Sequence, residues 1–236
     1  RSGSTLIESV LKSSKENFFS VGECNAINGS VLEQIGPKIY IKDFNIENFK
    51  FEINEEVFNK SVINRYLQFN LNEKENKIFI DKSLENFFNI EIIINIFPNA
   101  KFIHTFRNPV DSVISIYQSM LAELAWTHSI EDILDYIDYY YKAVNYFKKK
   151  YPQNFIDLEL EKFSNSPEKL TRDIYKFCNL TWTDDSLNFY KRSDLFSKTL
   201  SYTQIRNKIT KYDSKKYENY FYLLEKYQEK YRWLKI

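Results

Sequence analysis

Apolar positions come in short blocks along the chain, and their spacing alternates between a helical period and compact runs of three to six residues. Leu6 to Ser14 reads as a helix, and Phe18 to Val21 is an apolar run that stops at Gly22-Glu23, as a buried strand ending at a site would. Val57, Val62, Ile63, Tyr66 and Leu67 recur at helical spacing across 57–71, and Ile78-Phe79-Ile80 forms a compact strand that ends in Asp81-Lys82. A helical pattern returns from Leu84 to Phe97. Pro98-Asn99 then turns the chain into a strand over Lys101 to Phe106, and Pro109 opens a helix reaching Leu124. Ile130 to Tyr151 predicts a long helix ended by Pro152. A strand follows at Phe155 to Leu158, and Pro167 starts a helix running through Cys178. The tail from Asp213 to Trp233 predicts a further polar and aromatic helix.

Strands alternating with helices need crossover connections, which predicts an α/β fold: a P-loop-like three-layer arrangement with a mostly parallel central sheet flanked by helices. Ligands in such sheets bind at the carboxyl ends of the strands, where Glu23, Lys82 and Arg107 fall. One domain over 1–236 accounts for the pattern. The sequence opens in mid-motif, so the strand that should lead into its first turn is expected to be missing, as in an N-terminally truncated fragment.

Composition narrows the function. A formal charge of +1 provides no broad polyanion-binding surface, which argues against nucleic acid, and no apolar run approaches the ~20 residues needed to span a bilayer. Two cysteines, Cys24 and Cys178, are too few for a disulfide framework, and with no signal peptide the expected location is the cytoplasm. Neither the cysteines nor His104 and His128 show metal-ligand spacing. The stripe Tyr136, Tyr139, Tyr140 and Tyr146 reads as a packing face, and both histidines read as structural.

The chemistry concentrates at two stretches. Arg1-Ser2-Gly3-Ser4-Thr5 runs straight into a helix, so a small hydroxyl-rich turn presents unpaired N–H groups and the positive end of the helix dipole to an anion. No lysine follows Gly3 as an ATP-using loop requires. Phe106-Arg107-Asn108-Pro109 repeats the strand-turn-helix geometry, with the forked guanidinium of Arg107 suited to a phosphate and Ser115 on the helix behind it.

Together with Gly22-Glu23, Asp81-Lys82, Phe97-Pro98-Asn99-Ala100-Lys101, Asp111 and Tyr117, these stretches resemble the sulfotransferase superfamily, nearest its tyrosylprotein-sulfotransferase-like, TPR-associated bacterial branch. The similarity continues through Phe177-Cys178-Asn179-Leu180, Trp182, Thr199, Ser201, Gln204 and Ile205-Arg206. The resemblance implies metal-free, in-line transfer of a sulfuryl group from 3′-phosphoadenosine 5′-phosphosulfate to an acceptor hydroxyl. Arg1, Ser2, Gly3, Ser4 and Thr5 would hold the 5′-phosphosulfate, Arg107 and Ser115 the 3′-phosphate, and Lys216, preceding Tyr217, would touch the same donor. Glu23 would be the base, with Lys82 and Ser201 steadying the sulfuryl and bridging oxygens.

The chain departs from the family pattern in three places. The family's Tyr-Glu either appears as Leu160-Glu161 or is displaced, Cys24-Asn25-Ala26 replaces polar and basic residues, and the leading strand is expected to be missing. Peptide tyrosine, a glycan and a small alcohol all stay open as acceptors, and a homodimer stays open as the assembly. A small-molecule phosphotransferase would need the missing loop lysine. A non-catalytic nucleotide-binding module is the rival of another class.

Overall fold

The computed structural model describes residues 2–16, 18–39, 54–69, 78–192 and 206–236. In chain order the elements are α1 Ser4–Lys12, β1 Phe18–Gly22, α2 Ala26–Ile39, α3 Glu55–Leu67, β2 Ile78–Asp81, α4 Ile90–Ile96, β3 Phe102–Phe106, α5 Pro109–Ser119, α6 Ile130–Lys150, β4 Phe155–Glu159, α7 Leu160–Asn165 and α8 Pro167–Phe177. They fall into two units, Arg1–Glu16 with Lys101–Ile236, and Asn17–Ala100. The α/β class and the parallel pairing are as the alternating pattern implies, realised among the described residues as one two-stranded sheet in each unit.

In the unit Asn17–Ala100, β1 pairs with β2 from Phe18 opposite Ile78, and a bulge between Ser20 and Gly22 shifts the register so that Gly22 faces Asp81. Bulges of this kind re-aim the residues at a strand end. Phe58, Val62 and Tyr66 bury one face of α3 at i, i+4 and i+8. Of the five positions the sequence pattern named, Val62 and Tyr66 are buried here, whereas Val57, Ile63 and Leu67 are exposed on the opposite side. Tyr66, Phe79 and Phe97 close an aromatic triangle with centroids 5.1–5.7 Å apart.

Two expectations here need correction. The stretch 24–54, in which the apolar pattern names no element, contains α2, whose Gly29, Gly36 and Pro37 hide the helical signal. A Cβ on Gly29 would sit 3.0 Å from Nη1 of Arg65, the movable end of a partly exposed side chain. The helix expected over Leu84 to Phe97 is broken at Asn89 into a 3-10 turn, Leu84–Phe88, and α4. Asn89 is buried and its amide donates to Oδ1 of Asn28 at 2.7 Å, which favours the break over a continuous helix.

In the other unit β3 and β4 pair in register from Phe102 opposite Phe155 to Phe106 opposite Glu159. Asn108 caps α5 by accepting the Val110 N–H at 2.9 Å, and Pro109 takes the first turn. The helix stops at Ser119, short of Leu124, because Met120 adopts a left-handed conformation with φ 42°. α6 opens on Glu131 and Asp132 and closes on Lys148, Lys149 and Lys150, matching its dipole at both ends. Val110, Val113 and Ile114 pack with Ile133, Leu134 and Ile137 and with Leu224, Tyr231 and Leu234 of the tail.

The tail is not the helix its sequence predicts. It forms short 3-10 turns, Glu218–Leu223 and Glu225–Tyr227, and side-chain bonds to α6 hold it: Tyr231 Oη donates to Asp135 at 2.5 Å and Trp233 Nε1 to Asp138 at 3.2 Å. The tyrosine stripe of α6 is a packing face only in part. Tyr136 stacks on Trp126 and Tyr140 bonds Nε2 of His104, whereas Tyr139 and Tyr146 are exposed. His104 is a structural residue, its Nδ1 2.8 Å from Asp157, which also pairs with Lys148. Cys24 and Cys178 are free thiols.

Candidate functional site

The opening turn has the backbone its chemistry requires. Gly3 lies at φ 86°, ψ 12°, a left-handed conformation that glycine adopts at little cost, and it caps α1 without a side-chain bond. The first N–H groups of α1 therefore have no capping oxygen from Gly3, the condition in which a helix start accepts an anion. Thr5 is buried, whereas Ser2 and Ser4 are half-buried. Arg1 lies outside the described residues. A Cβ on Gly3 would come within 2.9 Å of Cδ1 of Leu160, so a larger residue would displace that branch as well as strain φ.

Arg107 leaves the carboxyl end of β3 and is held by the start of α5. Its Nη2 donates to the Asp111 carbonyl at 2.8 Å and its Nε to Ser112 Oγ at 3.4 Å. Arg107 thus bonds the backbone of Asp111 and not its carboxylate. That carboxylate is 1% exposed and accepts a hydrogen bond from the Tyr212 hydroxyl. Burial first, and this bond next, raise the Tyr212 pKa above the usual phenol range.

The guanidinium lies 5.5 Å from the ring centre of Tyr217, and Nζ of Lys216 lies 5.2 Å from the same centre. Burial alone would raise the Tyr217 pKa. Hydrogen bonds from Ser115 and Lys216 and the charges of Arg107 and Lys216 outweigh that, and the phenol is held below its ordinary value. Arg107, Ser115 and Lys216 thus gather on one residue. Leu160-Glu161 joins the two stretches, since Leu160 packs on Gly3 and Oε1 of Glu161 accepts the Asn108 N–H at 2.6 Å.

In the unit Asn17–Ala100, Glu23 and Lys82 form an ion pair at the carboxyl ends of β1 and β2. The Lys82 side chain is 7% exposed and that of Glu23 43%, so a buried ammonium presents a carboxylate that water can reach. The Lys82 N–H donates to the Gly22 carbonyl at 2.8 Å, and Gly22 turns at φ 64°. Asp81 braces the base of the pair: it accepts from Ser83 N at 2.7 Å, Tyr66 Oη at 2.6 Å and Cys24 Sγ at 3.6 Å. Burial, then the Asp81 charge, push the Cys24 thiol up to about 11.

The structure therefore brings Glu23 to Lys82, and Arg107, Ser115 and Lys216 to one another. Ser201 lies outside the described residues. Tyr217, Leu160, Asp81 and Tyr66 carry much of the geometry, and sequence reasoning had passed over them as an aromatic neighbour, a departure, a strand end and a helix position. The signal for the first three was adjacency to Lys216, Glu161 and Lys82, and for Tyr66 it was helical spacing. His128 donates to or accepts nothing from the residues above and bonds the Leu121 carbonyl at 3.0 Å. Among the described residues no group of three or more His, Cys, Asp or Glu is placed to hold a metal ion, and no helix is long and apolar enough to cross a membrane.

Residues 1–184 match the sulfotransferase family, a span that contains Gly3, Glu23, Lys82, Arg107 and Ser115 and stops short of Ser201 and Lys216. An uncharacterized protein of Aquifex aeolicus (strain VF5) is 30% identical over 152 residues, which is 63% of this chain and 20% of that protein. The chain thus spans a fifth of the length of that relative.

Proposed function

The chain belongs to the sulfotransferase family, and from that premise we propose that it transfers a sulfuryl group from 3′-phosphoadenosine 5′-phosphosulfate to an acceptor hydroxyl, as one catalytic domain of the tyrosylprotein-sulfotransferase-like bacterial branch. The observation that carries the reading is the gathering of Arg107, Ser115 and Lys216 on Tyr217 in the unit whose first helix starts uncapped at Gly3. A donor with an anion at each end needs two such places. Leu160-Glu161, in contact with both, supports their use by one ligand.

The donor supplies the activated sulfuryl group, and the residues present fit its two anionic ends. Ser2, Gly3, Ser4 and Thr5 hold the phosphosulfate through N–H groups and hydroxyls, with Arg1 as a further cation. Arg107 forks onto the 3′-phosphate, with its plane already fixed by Asp111 and Ser112. Glu23 takes the acceptor proton. Its accessible carboxylate and the buried Lys82 beside it suit a base next to a fixed positive charge, where catalysis comes from alignment and preorganised electrostatics. Ser201 adds a hydroxyl at the bridging oxygen. No metal takes part in this proposal. The acceptor carries an alcohol or phenol, on a peptide, glycan or small molecule.

Full-length protein incubated with donor labelled in its sulfuryl group and fractionated lysate tests the reading. Wild type labels a fraction; Glu23→Gln retains donor affinity and loses label by roughly 10²- to 10⁴-fold, the range for removal of a general base. Donor binding without any labelling in wild type would favour the nucleotide-binding module. Donor turnover that is equal in Glu23→Gln and wild type would remove Glu23 from the chemistry.

A further inference from the structure

Resting on the sulfotransferase reading, and going beyond its clamp of Arg107, Ser115 and Lys216, we propose that Tyr212 is a positioning residue: by holding the Asp111 carboxylate, it keeps the Arg107 guanidinium free for the 3′-phosphate. Asp111 carries the competing charge. Nη2 of Arg107 already donates to the Asp111 carbonyl at 2.8 Å, so the carboxylate of the same residue lies within a side-chain rotation of the guanidinium. Asp111 is 1% exposed and its Oδ1 has no hydrogen-bond partner among the described residues, and a buried carboxylate short of donors draws the nearest cation. The Tyr212 hydroxyl, donating to Oδ2, restrains it.

A closed circuit of hydrogen bonds presents the phenol to Asp111. The Tyr212 N–H donates to Ser164 Oγ at 3.1 Å, and the Ser164 hydroxyl donates to the Glu161 carbonyl at 2.8 Å. Oε1 of Glu161 accepts the Asn108 N–H at 2.6 Å, and Asn108 follows Arg107 in the chain. The circuit thus leaves Arg107 through Asp111 and returns to it through Asn108. Its members come from the start of α5, from α7 and from the tail, and Tyr212 is the tail's contribution. Tyr231 and Tyr66 likewise donate to aspartates, Asp135 and Asp81. Tyr212 differs in what its aspartate touches, because the carbonyl of Asp111 holds the guanidinium that the clamp needs.

Calorimetric titration of wild type, Tyr212→Phe and the double variant Tyr212→Phe/Asp111→Asn with adenosine 3′,5′-bisphosphate and with adenosine 5′-phosphate tests the assignment. Phenylalanine keeps the ring of this half-buried residue and removes only the hydroxyl. Affinity of Tyr212→Phe for the bisphosphate should fall about 10-fold, the loss expected when Asp111 holds the guanidinium for about nine-tenths of the time, while affinity for the 5′-phosphate is unchanged. Asp111→Asn removes the competing charge, so in the double variant it should restore most of the lost affinity, a rescue that mere loosening of the fold would not give. Unchanged bisphosphate affinity in Tyr212→Phe, an equal loss for both nucleotides, or a double variant no better than Tyr212→Phe would overturn the positioning role and leave the sulfotransferase reading intact. A wild type that binds neither nucleotide would overturn both.

Discussion

Gly3→Ala isolates the backbone requirement of the opening turn, and its cost can be assembled from two contributions. Placing an L-residue at φ 86° costs about 1–2 kcal/mol. The added methyl would lie 2.9 Å from Cδ1 of Leu160, a flexible branch that can turn aside at about 0.5–1.5 kcal/mol for leaving its rotamer. The sum is about 1.5–3.5 kcal/mol. Trp126, Trp182 and Trp233 are the three tryptophans of the chain, and all lie in the unit that contains Gly3. Their fluorescence during guanidinium unfolding therefore reports on that unit. In a Leu160→Ala background the steric part disappears, and Gly3→Ala should cost only the backbone part, about 1–2 kcal/mol. A Gly3→Ala midpoint indistinguishable from wild type would refute the left-handed turn. An identical cost in the two backgrounds would refute the contact with Leu160.

The other expectations concern the remaining buried groups. Lys82→Ala should slow single-turnover sulfuryl transfer by roughly 10²- to 10³-fold, as when one preorganised donor is lost, with donor affinity retained; a wild-type rate would exclude Lys82 from the chemistry. Both thiols sit at about 11, raised by burial and, at Cys24, by the Asp81 charge. Alkylation at pH 8 should run about a hundredfold below that of an ordinary cysteine and climb until pH 11, because the thiolate is the nucleophile; a plateau near pH 9 would contradict the burial. Burial holds His104 below its usual 6.5, although Asp157 pulls the other way. The unfolded chain then takes up that proton first, so stability should fall as pH drops below 6.5 and level off once the folded histidine also titrates. His104→Gln should flatten that slope in urea titrations, and a slope that survives the substitution would locate the linkage elsewhere.

The alternation of strand and helix was legible because each strand is a compact apolar run and most helices carry their own start signals, as at Pro109 with Asn108 and at Ser129 before α6. Where those signals were absent or contradictory the pattern misled. Two glycines and a proline concealed α2, and the apolar residues of the tail suggested a helix although they pack individually onto α5 and α6. Val57, Ile63 and Leu67 satisfied a helical period on the exposed side of α3, since spacing specifies a face and leaves open which face is covered.

Local chemistry in this chain is written at the level of short motifs: a glycine ahead of a helix, an arginine ahead of Asn-Pro, an acid and a lysine at strand ends. Those choices follow from backbone sterics and from what a strand terminus exposes, so residues adjacent in sequence carry them. Which side chains meet is a matter of packing between distant segments. The Tyr217 ring beside Arg107, Leu160 against Gly3 and the Tyr66 hydroxyl on Asp81 each join stretches separated along the chain. Burial, and with it the direction in which a phenol or thiol titrates, arises only once those segments have closed over it.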